Sequence, residues 1–161
     1  MSEVLILVDH VDGAVKKPTY ELLALAKRLG SPSAVFIGAA AQGAAVAQAV
    51  TAYGADKVYV VDDTEIKGYL VAPKAEALAQ LVAQASPAAV LVPASAEGKE
   101  IAGRLAVKTN SGLITDAVDV QAGAVTTQSV FAGNFTVQAK VTRGTPIIAV
   151  TKQNSATKSR S

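Results

Sequence analysis

The sequence contains no cysteine and no tryptophan, and aromatic residues make up only 4% of its 161 residues. Without cysteine there is no disulfide and no thiolate metal site, which is compatible with a reducing cytoplasm, and we expect a cytoplasmic protein. Because half of the residues are hydrophobic but few are aromatic, the core must be built from Val, Ala, Leu and Ile. This composition favours helices packed on a sheet in a single domain.

The body of the chain also lacks a basic excess. The net charge is +2, but residues 152–161 hold three of the 15 basic residues and no acid, which leaves 12 basic against 13 acidic residues elsewhere. A nucleic-acid-binding domain concentrates cations on one face, so we expect no nucleic-acid partner. No apolar run reaches the roughly 18 residues of a membrane span, and we expect neither insertion nor export. We expect one domain over residues 1–152 and a polar linker or disordered tail over 153–161.

Apolar runs and helical stripes alternate through the first two thirds of the chain. This pattern predicts strands at 3–9, 33–38, 57–61 and 88–93, and helices at 18–30, 42–54, 71–85 and 96–108. Thr19 is the expected N-cap of the first helix, and Gly30 is its expected C-terminal stop. Such alternation predicts parallel strands joined by right-handed crossovers, with helices on both faces of the sheet.

The pattern changes after Gly112. Four strand-like runs follow with short turns between them, at 113–121, 124–131, 134–142 and 146–152. Short turns join antiparallel neighbours, so we expect an antiparallel extension of the sheet. The predicted fold class is therefore α/β, a Rossmann-like three-layer sandwich with a parallel core of four strands and an antiparallel extension.

The segment between the fourth strand and the fourth helix is the candidate for an anion site. Ser95 can cap the helix, whose free N–H groups and dipole attract anions, and Lys99 and Arg104 can add positive charge. The alternative is that Ser95 only caps, that both cations are solvated, and that Gly103 lets the helix pack closely on the sheet. Spacing favours this alternative, because the sequence has neither the Walker pattern nor the G-x-G-x-x-G fingerprint after any of the four strands.

The other polar groups form no recognisable catalytic set. His10 is the only histidine; it follows a strand end with no nucleophile near it, and we expect it to face solvent. Asp62, Asp63 and Glu65 lack EF-hand spacing and make a poor metal site. Since no nucleophile, base and oxyanion hole come together, we expect no catalytic residues and no bound metal.

Residues 97–120, 129–139 and 145–152 together resemble the N-terminal domain of the electron transfer flavoprotein alpha subunit. That family carries a segment of the form G-[KR]-[DE]-x-A-x-R-[LV]-A-x-[KR]-x-x-[ST]-G-L at this place. The matching residues are Gly98, Lys99, Glu100, Ala102, Arg104, Leu105, Ala106, Lys108, Ser111, Gly112 and Leu113. Residues 131–134 resemble a later F-G-G-N step, with alanine in place of the first glycine. The resemblance extends over about residues 3–152.

The resemblance implies an adenine nucleotide alpha hydrolase-like fold and a scaffold role in a heterodimeric, FAD-containing electron carrier. Such a carrier takes electrons from flavin dehydrogenases, notably the acyl-CoA dehydrogenases of fatty acid β-oxidation, and passes them to the respiratory chain. The implied partner is the beta subunit. Most FAD contacts belong to the family's second domain, so we expect no cofactor on this chain alone. Ser111, Gly112, Leu113, Gly133 and Asn134 are the expected interface residues.

A rival interpretation is a nucleotide-binding module that resembles universal stress proteins, which have a related fold. That family carries G-x2-G-x9-G-[ST] after the fourth strand. Gly98, Gly103 and Gly112 are spaced differently here, and Leu113 follows the last of them. This mismatch argues against ATP binding by that route.

Overall fold

The computed structural model describes residues 2–11, 13–62, 71–130 and 135–151. They form an eight-stranded sheet, a separate two-stranded ladder and four α-helices. The strands are β1 (Glu3–Leu7), β2 (His10–Val11), β3 (Ala14–Val15), β4 (Ser31–Gly38), β5 (Lys57–Asp62), β6 (Ala89–Pro93), β7 (Leu113–Gln121), β8 (Val125–Val130), β9 (Phe135–Lys140) and β10 (Ile147–Val150). The helices are α1 (Lys17–Ala26), α2 (Gly43–Ala52), α3 (Val71–Ala85) and α4 (Ala96–Thr109). Within these residues, no helix combines the length and the apolar character needed to cross a bilayer.

The strand order of the large sheet is β5-β4-β1-β6-β10-β7-β8-β9. The six strands from β5 to β7 pair in parallel, and β8 and β9 are antiparallel. The chain runs outward from β1 to β4 and β5, then crosses back to β6 on the other side of β1. The predicted α/β fold class is confirmed, and the reversal places a topological switch point between β1 and β6.

The last strand lies at a different place from the one expected. β10 does not extend the antiparallel part; it inserts between β6 and β7 and is parallel to both. The parallel core therefore has six strands instead of four. All four residues of β10 are buried, so this strand needs cover on both faces. The centre of the sheet offers that cover, and a partly solvated antiparallel edge does not.

The central strands are continuous apolar runs because they are covered on both faces. In β1, Val4 and Ile6 pack into one core layer, and Leu5 and Leu7 pack into the other. Side chains alternate between the two faces of a strand, so a strand that is covered on both sides favours apolar residues at every position. α1 and α2 close the first layer, and α3 and α4 close the second.

The start of α1 differs from the prediction that Thr19 is its N-cap. The N-cap residue is Lys16, which makes no side-chain capping bond, and a proline occupies the first turn. Thr19 lies inside the helix and is fully buried. Its hydroxyl accepts a hydrogen bond from the backbone N–H of Asp9 at 2.7 Å. The N-cap prediction for Thr19 was wrong because the hydrogen-bond partner of its hydroxyl lies in the loop after β1 and not in its own helix.

The end of α1 also differs, because the helix stops at Ala26 and not at Gly30. Gly30 is nevertheless constrained. A Cβ at this position would collide with the backbone carbonyl of Ser2, and that carbonyl accepts a hydrogen bond from the N–H of Ser31 at 2.8 Å. The glycine thus permits close approach to the start of β1. Gly54, the last residue of the second predicted helix, follows the end of α2 and has a φ of 110°, as expected for a glycine at a helix C-terminus.

Glu3 joins three neighbouring strands through one carboxylate. Its Oε2 accepts a hydrogen bond from the Tyr59 hydroxyl at 2.7 Å, and Lys57 Nζ lies 4.0 Å away. Burial opposes ionisation, but hydrogen bonds from Ser33 and Tyr59 and the charge of Lys57 outweigh it and hold the pKa of Glu3 below its ordinary value. The hydrogen bond to Glu3 raises the pKa of Tyr59. The ionised carboxylate therefore stabilises the packing of β1, β4 and β5.

Replacing Glu3 by glutamine should lower the free energy of unfolding by about 1–2 kcal/mol near neutral pH, since charge-assisted hydrogen bonds are lost. A depressed pKa stabilises the fold above the ordinary value of 4.5, and this contribution disappears as the pH falls through the lower folded-state pKa. The difference in the free energy of unfolding between wild type and variant should therefore become smaller below about pH 4.5. Urea denaturation across a pH series measures it.

The matched control is Glu76→Gln, which removes an exposed ion pair with Lys108 at 3.4 Å. Exposed pairs contribute little, so this change should cost less than about 1 kcal/mol. A Glu3→Gln deficit that stays constant from neutral to acidic pH would contradict the assignment of the stabilisation to the ionised form.

Candidate functional site

A cleft of about 460 Å³ opens at the carboxyl edge of the sheet, where β1, β4 and β6 end. This is the switch point of the topology, the position at which open α/β sheets bind ligands. Its walls come from the ends of these strands, the first turn of α3 and the start of α4. The polar side chains that line it include Asp9, His10, Lys74, Ser95 and Glu97.

The start of α4 is capped and packed against the end of β6. The Ser95 hydroxyl accepts a hydrogen bond from the N–H of Gly98 at 3.0 Å, so the predicted cap is confirmed. A Cβ at position 98 would collide with the backbone carbonyl of Pro93. At Gly103, by contrast, a Cβ would meet nothing within 4 Å. The glycine that allows close packing on the sheet is therefore Gly98, and the expectation for Gly103 was wrong.

Lys99 and Arg104, the two cations of the candidate anion site, do not line the cleft. Lys99 Nζ contacts the Asp116 carboxylate at 2.8 Å, and Arg104 contacts Glu100 at 3.3 Å one turn away on the same helix. Both are thus ion-paired at the surface. Of the three residues in the anion-site hypothesis, the structure places only Ser95 at the cleft.

Asp116 holds Lys99 at the junction of β7 and β10. It adopts a left-handed conformation, with a φ of 56°, where the pairing of the two strands shifts register. The hydrogen bond from Lys99, together with one from the Thr151 hydroxyl, outweighs burial and holds the pKa of Asp116 below its ordinary value. The local sequence gave no signal for this partner, because the contact depends on how β7 bends.

Lys74 and Glu97 form an ion pair in the wall of the cleft, with Nζ and Oε1 2.7 Å apart. The Lys74 side chain is 12% exposed, whereas that of Glu97 is 50% exposed. Glu97 stands in the first turn of α4, where a carboxylate interacts favourably with the helix dipole. Neither residue was predicted from the sequence, although an acid beside a capped helix start was a usable signal.

His10 is half-buried and does not face solvent as expected. Its Nδ1 accepts a hydrogen bond from the N–H of Gly13 at 3.1 Å, so Nε2 carries the hydrogen and donates to the carbonyl of Ile37 at 3.0 Å. Its ring packs against Phe36, with the centroids 4.5 Å apart. With both nitrogens bonded to the backbone, His10 ties the loop after β1 to the end of β4.

The cleft does not fit the phosphate groups of a nucleotide or of a flavin dinucleotide. Among the described lining residues the one lysine is already neutralised by Glu97, and the lining includes a second acid, Asp9. A phosphate at the start of α4 would have to displace the Glu97 carboxylate from the positive end of the helix dipole. At this edge of the sheet, the start of α4 is capped by Ser95 and the charge of Lys74 is neutralised by Glu97.

The predicted interface residues Ser111, Gly112 and Leu113 lie at the opposite, amino edge of the sheet, where β7 begins. The buried Ser111 hydroxyl accepts a hydrogen bond from the N–H of Thr145 at 3.0 Å. The Gly112 N–H bonds the carbonyl of Arg143, and its own carbonyl accepts from the N–H of Ile147. These bonds direct the chain into β10.

Several predicted positions lie outside the described residues, namely Gly133, Asn134, Asp63 and Glu65. Across the described ranges, no group of three or more histidine, aspartate or glutamate side chains is placed to hold a metal ion.

Comparisons with known proteins agree on one family. The model of the electron transfer flavoprotein domain matches residues 4–160. Electron transfer flavoprotein subunit alpha of Mycobacterium tuberculosis (strain ATCC 25618 / H37Rv) is 45% identical over 150 residues, which cover 93% of this chain and 47% of that protein. The protein of the same name from Syntrophomonas wolfei is 35% identical over 147 residues, 89% of this chain and 45% of that protein.

A third relative carries a different name. The lactate dehydrogenase (NAD(+),ferredoxin) subunit LctC of Acetobacterium woodii is 29% identical over 140 residues, 83% of this chain and 34% of that protein. The chain thus spans less than half the length of these relatives.

Gly98 and Gly103 allow a matched test of the packing at the cleft, because both lie in α4. Gly98→Ala should lower the free energy of unfolding by about 1–3 kcal/mol, since the added methyl group overpacks against a backbone carbonyl. Gly103→Ala should raise it by about 0.5–1 kcal/mol, the ordinary gain in helix propensity. Urea denaturation measures both, and effects of the same sign would contradict the packing assigned to Gly98.

Proposed function

The chain belongs to the electron transfer flavoprotein family, and on this premise we propose that it is a scaffold domain of a heterodimeric, FAD-containing electron carrier. The carrier takes electrons from flavin dehydrogenases, including acyl-CoA dehydrogenases, and passes them to the respiratory chain. This domain contributes shape and contact surface, with no catalytic residue and no cofactor of its own.

The Lys74–Glu97 ion pair is the observation that carries the scaffold proposal. In a nucleotide-binding relative of this fold, phosphates interact with the start of the helix that follows a central strand. Here Glu97 takes the place of that anion and is held by Lys74 at 2.7 Å. Electron transfer by this chain would need a bound redox group, and the cleft is electrostatically unsuited to the phosphates of one.

The beta subunit is the proposed partner. The relatives from Mycobacterium tuberculosis and Syntrophomonas wolfei are named subunit alpha, which implies a companion chain. At the amino edge, Ser111 is 3% exposed and therefore has little surface to offer a partner. We propose that it supports the interface indirectly, by holding the turn at 143–145 in place. Gly112 and Leu113, with Gly133 and Asn134, are the proposed contact region.

The universal-stress-protein interpretation is not favoured by the geometry. Gly98 serves the packing of α4 on β6, since a side chain there would collide with the carbonyl of Pro93. Lys99, the next residue, is paired with Asp116 outside the cleft. Neither residue is arranged to surround a triphosphate.

The purified chain should carry no visible flavin absorbance and should give no binding heat when titrated with ATP or AMP. It should form a one-to-one complex with the beta subunit from the same genome, detected by analytical ultracentrifugation. Micromolar ATP binding by the chain alone would instead support the nucleotide-binding interpretation, and copurified flavin would contradict the scaffold role.

Glu97→Gln tests whether the Glu97 carboxylate keeps anions away from the start of α4. This change leaves the Lys74 charge and the helix dipole without a carboxylate, so inorganic phosphate should raise the melting temperature of the variant but not of the wild type. Glu100→Gln is the matched control, because Glu100 lies on the same helix and pairs with Arg104. An equal response to phosphate in all three proteins would show that Glu97 does not exclude anions.

A further inference from the structure

Two tyrosines stack on the outer side of α1 and α2. The ring centroids of Tyr20 and Tyr53 are 3.9 Å apart, with 30° between the ring planes. Tyr53 is 58% exposed, whereas Tyr20 is partly buried and packs against the first core layer, so Tyr53 is the accessible ring of the pair. Large aromatic side chains at the surface are typical of the centres of protein interfaces, where they supply most of the binding energy.

Lysines flank the tyrosine pair at both ends. Lys17, at the start of α1, precedes Tyr20 by three residues and so lies on the same side of the helix, and Lys16 is the extended N-cap residue just before it. At the other end, the Nζ atom of Lys27 lies 2.6 Å from where a Cβ on Gly54 would stand, beside Tyr53. From Lys16 to Lys27 the helix rises by roughly 16 Å. We name these five residues, Lys16, Lys17, Tyr20, Lys27 and Tyr53, the tyrosine–lysine patch.

The charges of this patch differ from those on the opposite face of the sheet. There, every lysine and arginine of α3 and α4 has a carboxylate partner within the chain; these are Lys74, Lys99, Arg104 and Lys108. Lys16, Lys17 and Lys27 form no ion pair with any described residue. The α1 face therefore carries three lysines outside any such ion pair, and α1 itself carries one carboxylate, Glu21.

We propose that the tyrosine–lysine patch docks an acidic surface of the beta subunit. This inference rests on the proposed function, since it assigns a contact within that heterodimer. The tyrosine pair forms the apolar centre, and the lysines form a charged rim that speeds the encounter and selects the orientation. The complementary surface is an apolar side chain between two groups of carboxylates. A nucleic acid is the less suitable occupant, because three lysines neutralise few phosphates.

Titration of the chain with the beta subunit at low and high salt tests the proposal, by calorimetry for affinity and stopped flow for association rate. Tyr53→Ala should raise Kd about tenfold or more, the effect of removing a central aromatic residue. The double variant Lys16→Glu, Lys17→Glu should slow association about tenfold at low salt and weaken its salt dependence. Circular dichroism confirms that each variant is folded.

Two controls match these changes away from the patch. Val107→Ala removes a side chain of α4 that is 83% exposed, and Arg104→Glu reverses a charge on the same helix whose side chain is 50% exposed. Both should leave Kd within about twofold of wild type, as expected for surface substitutions outside a contact.

The outcomes separate this inference from the proposed function. If the wild-type chain binds the beta subunit and the patch variants bind equally well, the inference is wrong and the heterodimer stands. If the wild-type chain does not bind the beta subunit, both are wrong. A third outcome is that a short DNA duplex binds through the patch residues while the affinity for the beta subunit does not depend on them. In that case the proposal of an acidic protein partner is also wrong.

Discussion

Burial of the central strands on both faces is the constraint on which the rest of the structure depends. The side chains from Val4 to Leu7 of β1 alternate between two core layers and are all apolar, so helices must cover each face. The chain places β4 and β5 on one side of β1 and β6 on the other, and the helices that connect these strands cover the two faces of the sheet. The cleft at the carboxyl edge follows from that reversal, because the loops leave the sheet in opposite directions there.

The same constraint explains why a cleft of the nucleotide-binding kind does not by itself indicate a nucleotide. The topology creates an opening and directs the start of α4 towards it, but the residues in that first turn decide what can bind. Here Ser95 accepts the N–H of Gly98 and Glu97 holds Lys74. The helix start already has its anion within the chain, and this supports a scaffold role more directly than the missing glycine loop does.

The distribution of paired and unpaired charge separates the two faces of the molecule. On α3 and α4, the cations are bound to neighbouring carboxylates, which fixes these helices to each other and to β7. At the two ends of α1, Lys16, Lys17 and Lys27 have no such partners among the described residues, and Tyr20 of the same helix stacks on Tyr53. In the proposed scaffold role the domain acts through its surfaces, and the face with the unpaired lysines is the one that we propose for contact with the partner.

The sequence by itself determined the alternation of strands and helices, the Ser95 cap and the family resemblance. Each of these depends on burial periodicity, on a hydrogen bond three residues away, or on a contiguous motif. Only the tertiary structure decided the insertion of β10, the role of Thr19 and the partners of Lys74 and Lys99. Those partners are 23 and 17 residues away in the chain, and the Arg28–Asp119 pair spans 91 residues. Contacts of that range depend on how the sheet is ordered, which local patterns do not encode.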